Sequence, residues 1–169
     1  SAMDEQAALD ITSRWLNAVV VGLNLCPFAG KVVQDNSLRM SVSDAIDDEA
    51  ILQAVLVELE LLQNSSEQDV ATGLLIFSSG LTDFYHYLLV LDQAQQLVKK
   101  AGLEGVFQIA SFHPDYCFAG VAEDEPGNYT NRSPLPMMHF IREAQLERIL
   151  ANYPGPETIP ENNIKALNA

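Results

Sequence analysis

The stretch TGLLIFSSGLTDFYHYLLVLDQAQQLVKKAGLEGVFQIAS (72–111) predicts a strand, a helix and a second strand in succession. Thr72 to Phe77 is almost entirely apolar over the length of a strand, a pattern typical of a strand buried on both faces. A helix is expected from Thr82, as its N-cap, to about Ala101, and Val106 to Ser111 is the second strand. Strands that are separated by helices predict parallel pairs in a sheet with helical cover.

The flanking segments extend this order. In the part before Thr72, every second residue from Leu38 to Val42 is apolar, which is typical of a strand, and Asp35-Asn36 would supply a hairpin turn. The remaining expected elements are a helix at 4–25, a β-hairpin at 31–42, a helix at 47–63, a long loop at 112–136 and a last helix at 137–152. The predicted fold class is α/β (or α+β), with a small mixed four-stranded sheet covered by about four helices, in a single domain at 4–169.

The charge balance limits the expected partners. The chain carries 23 acidic and 9 basic residues, a net charge of −14. Such a field repels phosphate backbones and anionic lipid, so we expect neither nucleic-acid nor membrane partners. Two cysteines, Cys26 and Cys117, are too few for a disulfide framework, and no apolar run approaches the ~20 residues of a membrane helix. The expected location is the cytoplasm.

Residues able to do chemistry concentrate between Ala110 and Glu143. This segment holds two of the three histidines, one of the two cysteines and two of the nine basic residues. A loop as long as 112–136 inside a compact domain is uncommon and is usually functional or disordered, and its aromatic residues favour order. It begins where a predicted strand ends, the position at which open α/β sheets bind ligands. We therefore place the candidate site in this segment.

The expected last helix would orient part of the segment. At about 100° per residue, His139 and Glu143 fall within about 60° of two leucines that mark the inward stripe. Inward polar groups must be satisfied by partners or by a ligand. One interpretation is a polar pocket; the other is a buried ion-pair network, Arg142 with Asp115 or Glu143, which pins the loop to the helix. The pocket would contain His113, Asp115, Asn131, Arg132, His139, Arg142 and Glu143.

Three chemistries would suit such a pocket. Arg132 and Arg142 would hold the carboxylate or phosphate of a small anionic substrate while a histidine moves the proton. A divalent metal would instead take two histidines and two carboxylates as ligands, from the set His113, Asp115, His139 and Glu143. Cys26 would be a nucleophile with a histidine as its base, although LNLCPF is an apolar stretch in which a cysteine is commonly buried.

Four stretches resemble the bacterial family catalogued as domain of unknown function 1415. They are GLNLCPFAGK (22–31), QIASFHPDYCFAG (108–120), NYTNRSPLPMMHFIRE (128–143) and IPENN (159–163). The resemblance covers nearly the whole chain and implies a single-domain bacterial protein. It implies no activity or ligand, so it assigns no catalytic residue. It supports treating Cys26-Pro27-Phe28 as a second candidate wall of the site.

Two functional hypotheses follow. The first is an enzyme, or an enzyme-like protein, that acts on a small anionic substrate, with the catalytic residues His113, His139, Glu143 and Asp115 and the binding residues Arg132, Arg142, Asn131 and Cys26. The second is a non-catalytic binding or adaptor protein in which the polar cluster is a structural staple. The second hypothesis predicts that the loop packs closed and that an exposed apolar patch, larger than roughly the few hundred Å² normal for a monomer, lies elsewhere.

Overall fold

The computed structural model describes residues 3–21 and 37–151, and a mixed four-stranded sheet lies at its centre. The strands are β1 (Leu38–Ser43), β2 (Thr72–Phe77), β3 (Phe107–Phe112) and β4 (Met137–Arg142), in the order β1-β2-β4-β3. The helices are α1 (Glu5–Trp15), α2 (Asp48–Gln63), α3 (Phe84–Lys100) and α4 (Glu143–Ala151). The predicted class, a small mixed four-stranded sheet covered by helices, is confirmed.

Strand β2 is the centre of the core. All six of its residues are buried, as the apolar run predicts. It pairs in parallel with β1 and antiparallel with β4. Because successive side chains point to opposite faces, Leu75 and Phe77 join the core under α2 and α3, whereas Leu74 and Ile76 join the cluster under α1. Helices therefore cover both faces of the sheet.

Aspartate side chains cap the N-termini of α2 and α3, the two helices that cover the same face of the sheet. Asp47 accepts a hydrogen bond from the amide of Ala50 at the start of α2, near the expected helix start. At the start of α3, Asp83 accepts from the amide of His86, so the prediction of Thr82 as the N-cap is wrong by one residue. An aspartate accepts the free amides of a first turn and also complements the positive end of the helix dipole.

Residues 137–142 are the main correction to the predicted elements. The helix expected at 137–152 begins at Glu143, and its first six residues form β4 in the interior of the sheet. Met138 and Phe140 pack on the α2 and α3 face, and Met137 packs on the α1 face. A short apolar run satisfies helix and strand patterns alike, and here pairing with β2 and β3 on both sides decides for the strand.

Other boundaries also differ from the prediction. Helix α1 ends at Trp15 and continues as a π-helical turn over Leu16–Val21, and the rest of the helix expected at 4–25 lies outside the described residues. Strand β1 pairs with β2 in parallel, and the other arm of the predicted hairpin also lies outside the described residues. The long loop includes a 3-10 helix over Pro126–Asn131. Within the described part of the chain, no helix is long and apolar enough to cross a membrane.

Candidate functional site

His113 is fully buried where the long loop leaves β3. Its Nδ1 accepts a hydrogen bond from the amide of Asp115 (3.0 Å), so the proton is on Nε2, which donates to the carbonyl of Leu81 (2.8 Å). The ring packs against Phe84 and Tyr87, with centroids 5.2 and 5.0 Å away. Burial lowers the pKa of His113, which favours the neutral ring. Both ring nitrogens are therefore engaged by the main chain.

Asn128 closes the loop from inside. Its side chain is fully buried, its Oδ1 accepts from the amide of Phe118 (2.9 Å), and its Nδ2 donates to the carbonyl of Ala122 (2.9 Å). A buried amide that satisfies main-chain groups on both of its ends fixes the chain around it. Sequence reasoning did not select Asn128, because an asparagine in a polar loop carries no signal of burial.

Arg132 holds the same loop from its outer side. Its Nε donates to the carbonyl of Tyr116 (2.9 Å), and an Nη donates to the carbonyl of Glu123 (2.6 Å). Its guanidinium lies 4.7 Å from the centroid of the Tyr129 ring, a cation–π distance. These donors are directed at the main chain of the loop.

Asn131 attaches the loop to the end of β3. Its carbonyl accepts from the amide of His113 (3.1 Å), and its side-chain Nδ2 donates to the carbonyl of Ser111 (2.9 Å). The residue thus pairs with β3 as one residue of an added strand would. Asn131 therefore covers the C-terminal end of β3.

Arg142 lies at the far end of β4 and caps α2. Its Nε donates to the carbonyl of Val70, and one Nη donates to the carbonyls of Leu62, Ser65 and Val70 at 2.9–3.1 Å. The guanidinium sits at the negative end of the α2 dipole and 5.5 Å from the Phe107 ring centroid. Burial lowers the pKa of Arg142. Arg142 therefore caps α2 through main-chain carbonyl groups, and the predicted ion pair with Asp115 or Glu143 that would pin the loop to the last helix is not formed.

His139 faces the opposite side of the sheet, toward α1. The Oγ1 of Thr72 donates to the carbonyl of Phe140 (2.7 Å), so the His139 Nε2, 2.6 Å from that oxygen, must be the donor to it. Its Nδ1 then carries a lone pair that makes no hydrogen bond within the described part of the chain. Burial lowers the pKa of His139 to about 4, so the ring is neutral near pH 7.

Of the predicted pocket residues, His113, Asp115, Asn131 and Arg132 lie together in the long loop, but His139, Arg142 and Glu143 do not join them. Met137 of β4 pairs with Phe112, beside His113, whereas Arg142 pairs with Phe107 at the other end of the strand. Five residues of strand separate these ends by roughly 16 Å. His139 and Arg142 also lie on opposite faces of the sheet, because their positions differ by an odd number.

The two predicted carboxylates lie apart from each other, and of the two only Asp115 adjoins His113. Asp115 is exposed on the loop, and Glu143 opens α4 beside β3. Among residues 3–21 and 37–151, no three His, Cys, Asp or Glu side chains are placed to share a metal ion. The predicted ligand set His113, Asp115, His139 and Glu143 is therefore not formed. Cys26 lies outside the described residues.

Two open clefts lie along β3 instead. One, of about 390 Å³, runs between β3 and the C-terminal half of α3, and the other, of about 470 Å³, runs between β3 and α4. They share Gly105, Gln108 and Glu143. Sequence reasoning selected Glu143 but missed the rest of the lining, because glutamines and glycines at a strand edge carry no chemical signature.

Comparison with known proteins places the chain in one family. The family model described as "Protein of unknown function (DUF1415)" matches residues 7–169. The chain belongs to this family. The match spans nearly the whole sequence and confirms the resemblance carried by the four stretches quoted above. No curated protein and no solved structure matches the chain. The function of this DUF1415 protein has to be argued from its own geometry.

Replacing Arg142 tests its role as the cap of α2. Arg142→Met leaves several carbonyls at the end of α2 without a donor, so we expect the free energy of unfolding to fall by about 2–4 kcal/mol in urea denaturation. Arg14→Met removes the same charge from an exposed position on α1 and should change it by less than about 0.5 kcal/mol. Equal changes in the free energy of unfolding for the two variants would contradict the capping role of Arg142.

The neutral state of His139 has a pH signature. The folded pKa is about 4 against an ordinary 6.5, so the unfolded chain binds the proton first. The stability that His139 contributes is present above pH 6.5 and is lost as the pH falls from 6.5 toward 4, by up to about 3 kcal/mol. Chemical denaturation across that range should show a steeper loss for the wild type than for His139→Gln.

The control for this titration is His86→Gln. His86 is 40% exposed, so this variant removes a histidine without removing a buried ring and separates the two effects. Parallel curves for the wild type and His139→Gln would show that His139 is not held neutral.

Proposed function

We propose that this DUF1415 protein binds a basic polypeptide segment of another protein through the outward face of α3. Three large apolar side chains are exposed there within little more than one turn: Tyr85 is 76% exposed, Leu89 69% and Leu88 37%. Single apolar residues are normal on protein surfaces, whereas a group on one face is typical of a binding surface. This group is the observation that carries the proposal.

Seven of the nine exposed residues of α3 form one continuous stripe. Positions three and four apart on a helix are neighbours, and successive members of this set follow that spacing. We define the α3 stripe as Tyr85, Leu88, Leu89, Asp92, Gln95, Gln96 and Lys99, all of them exposed. Its N-terminal half is apolar and its C-terminal half is polar.

Aromatic contacts extend the apolar half toward the long loop. Ring centroids are 6.0 Å apart between Tyr85 and Phe84, 5.2 Å between Phe84 and Tyr116, and 4.9 Å between Tyr116 and Phe118. Phe118 and Val121 are themselves exposed on the loop. The surface available to a partner therefore includes residues of both the helix and the loop.

The hydrogen bonds of the polar residues favour this proposal over the anionic-substrate hypothesis. A substrate carboxylate or phosphate would need arginine donors that are directed at it. Arg132 and Arg142 direct theirs at main-chain carbonyls, and both nitrogens of His113 are engaged as well. A closed loop and an apolar patch elsewhere are what a binding protein of this kind requires.

Charge favours a basic segment over a second copy of the chain. The net charge of −14 makes two copies repel each other. Asp92 belongs to the stripe. Asp83 lies at the N-terminal end of α3 and Asp48 at the N-terminal end of α2. These two helix ends lie close together, because the ring of His86 on α3 contacts Asp48. Lysine or arginine side chains of a partner would complement these carboxylates.

Selection from random peptides displayed on phage tests the proposal, with the purified full chain as the bait. We expect enriched peptides that combine apolar and basic residues. The affinity of one synthetic selected peptide, measured by fluorescence anisotropy, should fall by about tenfold or more in the double variant Tyr85→Ser/Leu89→Ser, because exposed aromatic and aliphatic anchors carry most binding energy.

The matched control is Val57→Ser, which removes an apolar side chain that is 50% exposed on α2. It should leave the peptide affinity unchanged. Failure to enrich any peptide, or binding that survives the double substitution on α3, would overturn the proposal. Self-association that the double substitution abolishes, seen by sedimentation, would also overturn it, since the surface would then belong to a second copy.

A further inference from the structure

Strand β3 lies at the edge of the sheet, so one side of its backbone faces away from the other strands. The amide of Glu143 donates to the carbonyl of Val106 across the antiparallel β3–β4 pair (2.9 Å). Hydrogen-bonded and non-hydrogen-bonded pairs alternate in such a ladder. Gln108 therefore directs its N–H and C=O toward β4, and Ile109 directs both of its groups outward.

The free part of this edge has defined ends. At one end Asn131 occupies the carbonyl of Ser111, and at the other the amide of Phe107 donates to the carbonyl of Leu103 (3.1 Å). Between them lie the C=O of Phe107, both groups of Ile109 and the N–H of Ser111, which have no hydrogen-bond partner in the described ranges 3–21 and 37–151. These are the groups that a short added strand would use.

Within residues 3–21 and 37–151, the middle of β3 lacks the usual protection of an edge. Edges are commonly blocked by charged side chains, by proline or by a covering segment. The sequence of β3 is FQIASF, without a charge or a proline. The long loop covers its C-terminal end through Asn131, and the stretch around Ile109 opens into the 390 Å³ cleft.

The cleft has the form of a strand-binding groove. One wall is the edge of β3, where Phe107 and Ile109 are nearly buried, and the other is the polar half of the α3 stripe. A strand placed beside β3 would direct alternate side chains toward α3. The apolar half of the stripe continues along the same helix, so one peptide would contact both halves.

The charges around the cleft favour basic side chains in the peptide. The carboxylates of Asp92, Glu104 and Glu143 line it, with Lys99 as the one cation among its lining residues. This excess of negative charge, in a chain of net charge −14, favours lysine or arginine in the added segment.

We infer that the partner binds as an extended basic strand added to β3 between Phe107 and Ser111. The inference rests on the proposed function and specifies how the polypeptide is held: main-chain hydrogen bonds to β3 supply affinity, and the carboxylates of the cleft supply preference for basic residues. A partner that docks as a helix on the α3 stripe is the competing arrangement.

Amide hydrogen exchange followed by NMR tests the inference on the full chain with a saturating selected peptide. The amides of Ile109 and Ser111 point outward, so the peptide should slow their exchange by about tenfold or more. The amides of Gln108 and Ala110 are already bonded to β4 and serve as internal controls that should change little. Peptide binding with unchanged exchange at Ile109 and Ser111 would overturn the inference and leave the proposed function standing.

A second test of the inference uses chemically modified versions of the selected peptide. N-methylation of single peptide amides should weaken binding at alternate residues, because every second amide of an added strand faces β3. Equal losses at consecutive residues would indicate a helix and would overturn the inference. If selection yields no peptide, the proposed function fails first, so the two failures are distinguishable.

Discussion

Strand β4 pairs with β2 on one side and with β3 on the other, and much of the molecule's surface follows from this double pairing. It joins β3 to the sheet and so makes β3 an edge. It places His139 under α1 and Arg142 under α2, on opposite faces. At its start, the Tyr87 hydroxyl donates to the carbonyl of Met137 (2.6 Å) and accepts from the amide of Phe112 (3.1 Å), which fastens the two strands to α3.

The long loop is attached to this frame by side chains that satisfy main-chain groups. His113 joins the loop to Leu81, whose φ of 61° is rare for a residue with a side chain, and Asn128 and Arg132 close the loop on itself. The same residues that suggest chemistry in the sequence are thereby used in holding the fold. Among the described residues, the outward face of α3 and the edge of β3 are exposed and take no part in this network.

The sequence predicts the elements whose signals are local. The apolar run of β2, the start of α2 near Asp47 and the segment that holds the polar cluster are all readable from neighbouring residues. Strand β4 is not, because the spacing of His139 and Glu143 imitates a helix and the pairing that decides between the two is distant in sequence. The parallel pairing of β1 with β2 is equally non-local.

The sequence shows where the polar residues concentrate but does not show their contacts, for a related reason. The guanidinium of Arg142 donates to the carbonyls of Leu62 and Val70. Every residue has a carbonyl, so the identity of the partner residues does not predict this contact. An arginine or histidine that binds a ligand and one that caps a helix look alike in sequence. The free edge of β3 is likewise a consequence of strand order and leaves no mark in the strand itself.

Native-state hydrogen exchange of the ligand-free chain tests directly whether the polar residues hold the long loop closed. The amides of His113, Asp115 and Phe118 each donate within this network. If the loop is held closed, these amides exchange slowly, with opening free energies near those of the β2 amides. If these three amides exchange as fast as those of a free peptide while β2 remains protected, the loop opens as a lid. That result would contradict the conclusion that the polar residues hold it closed.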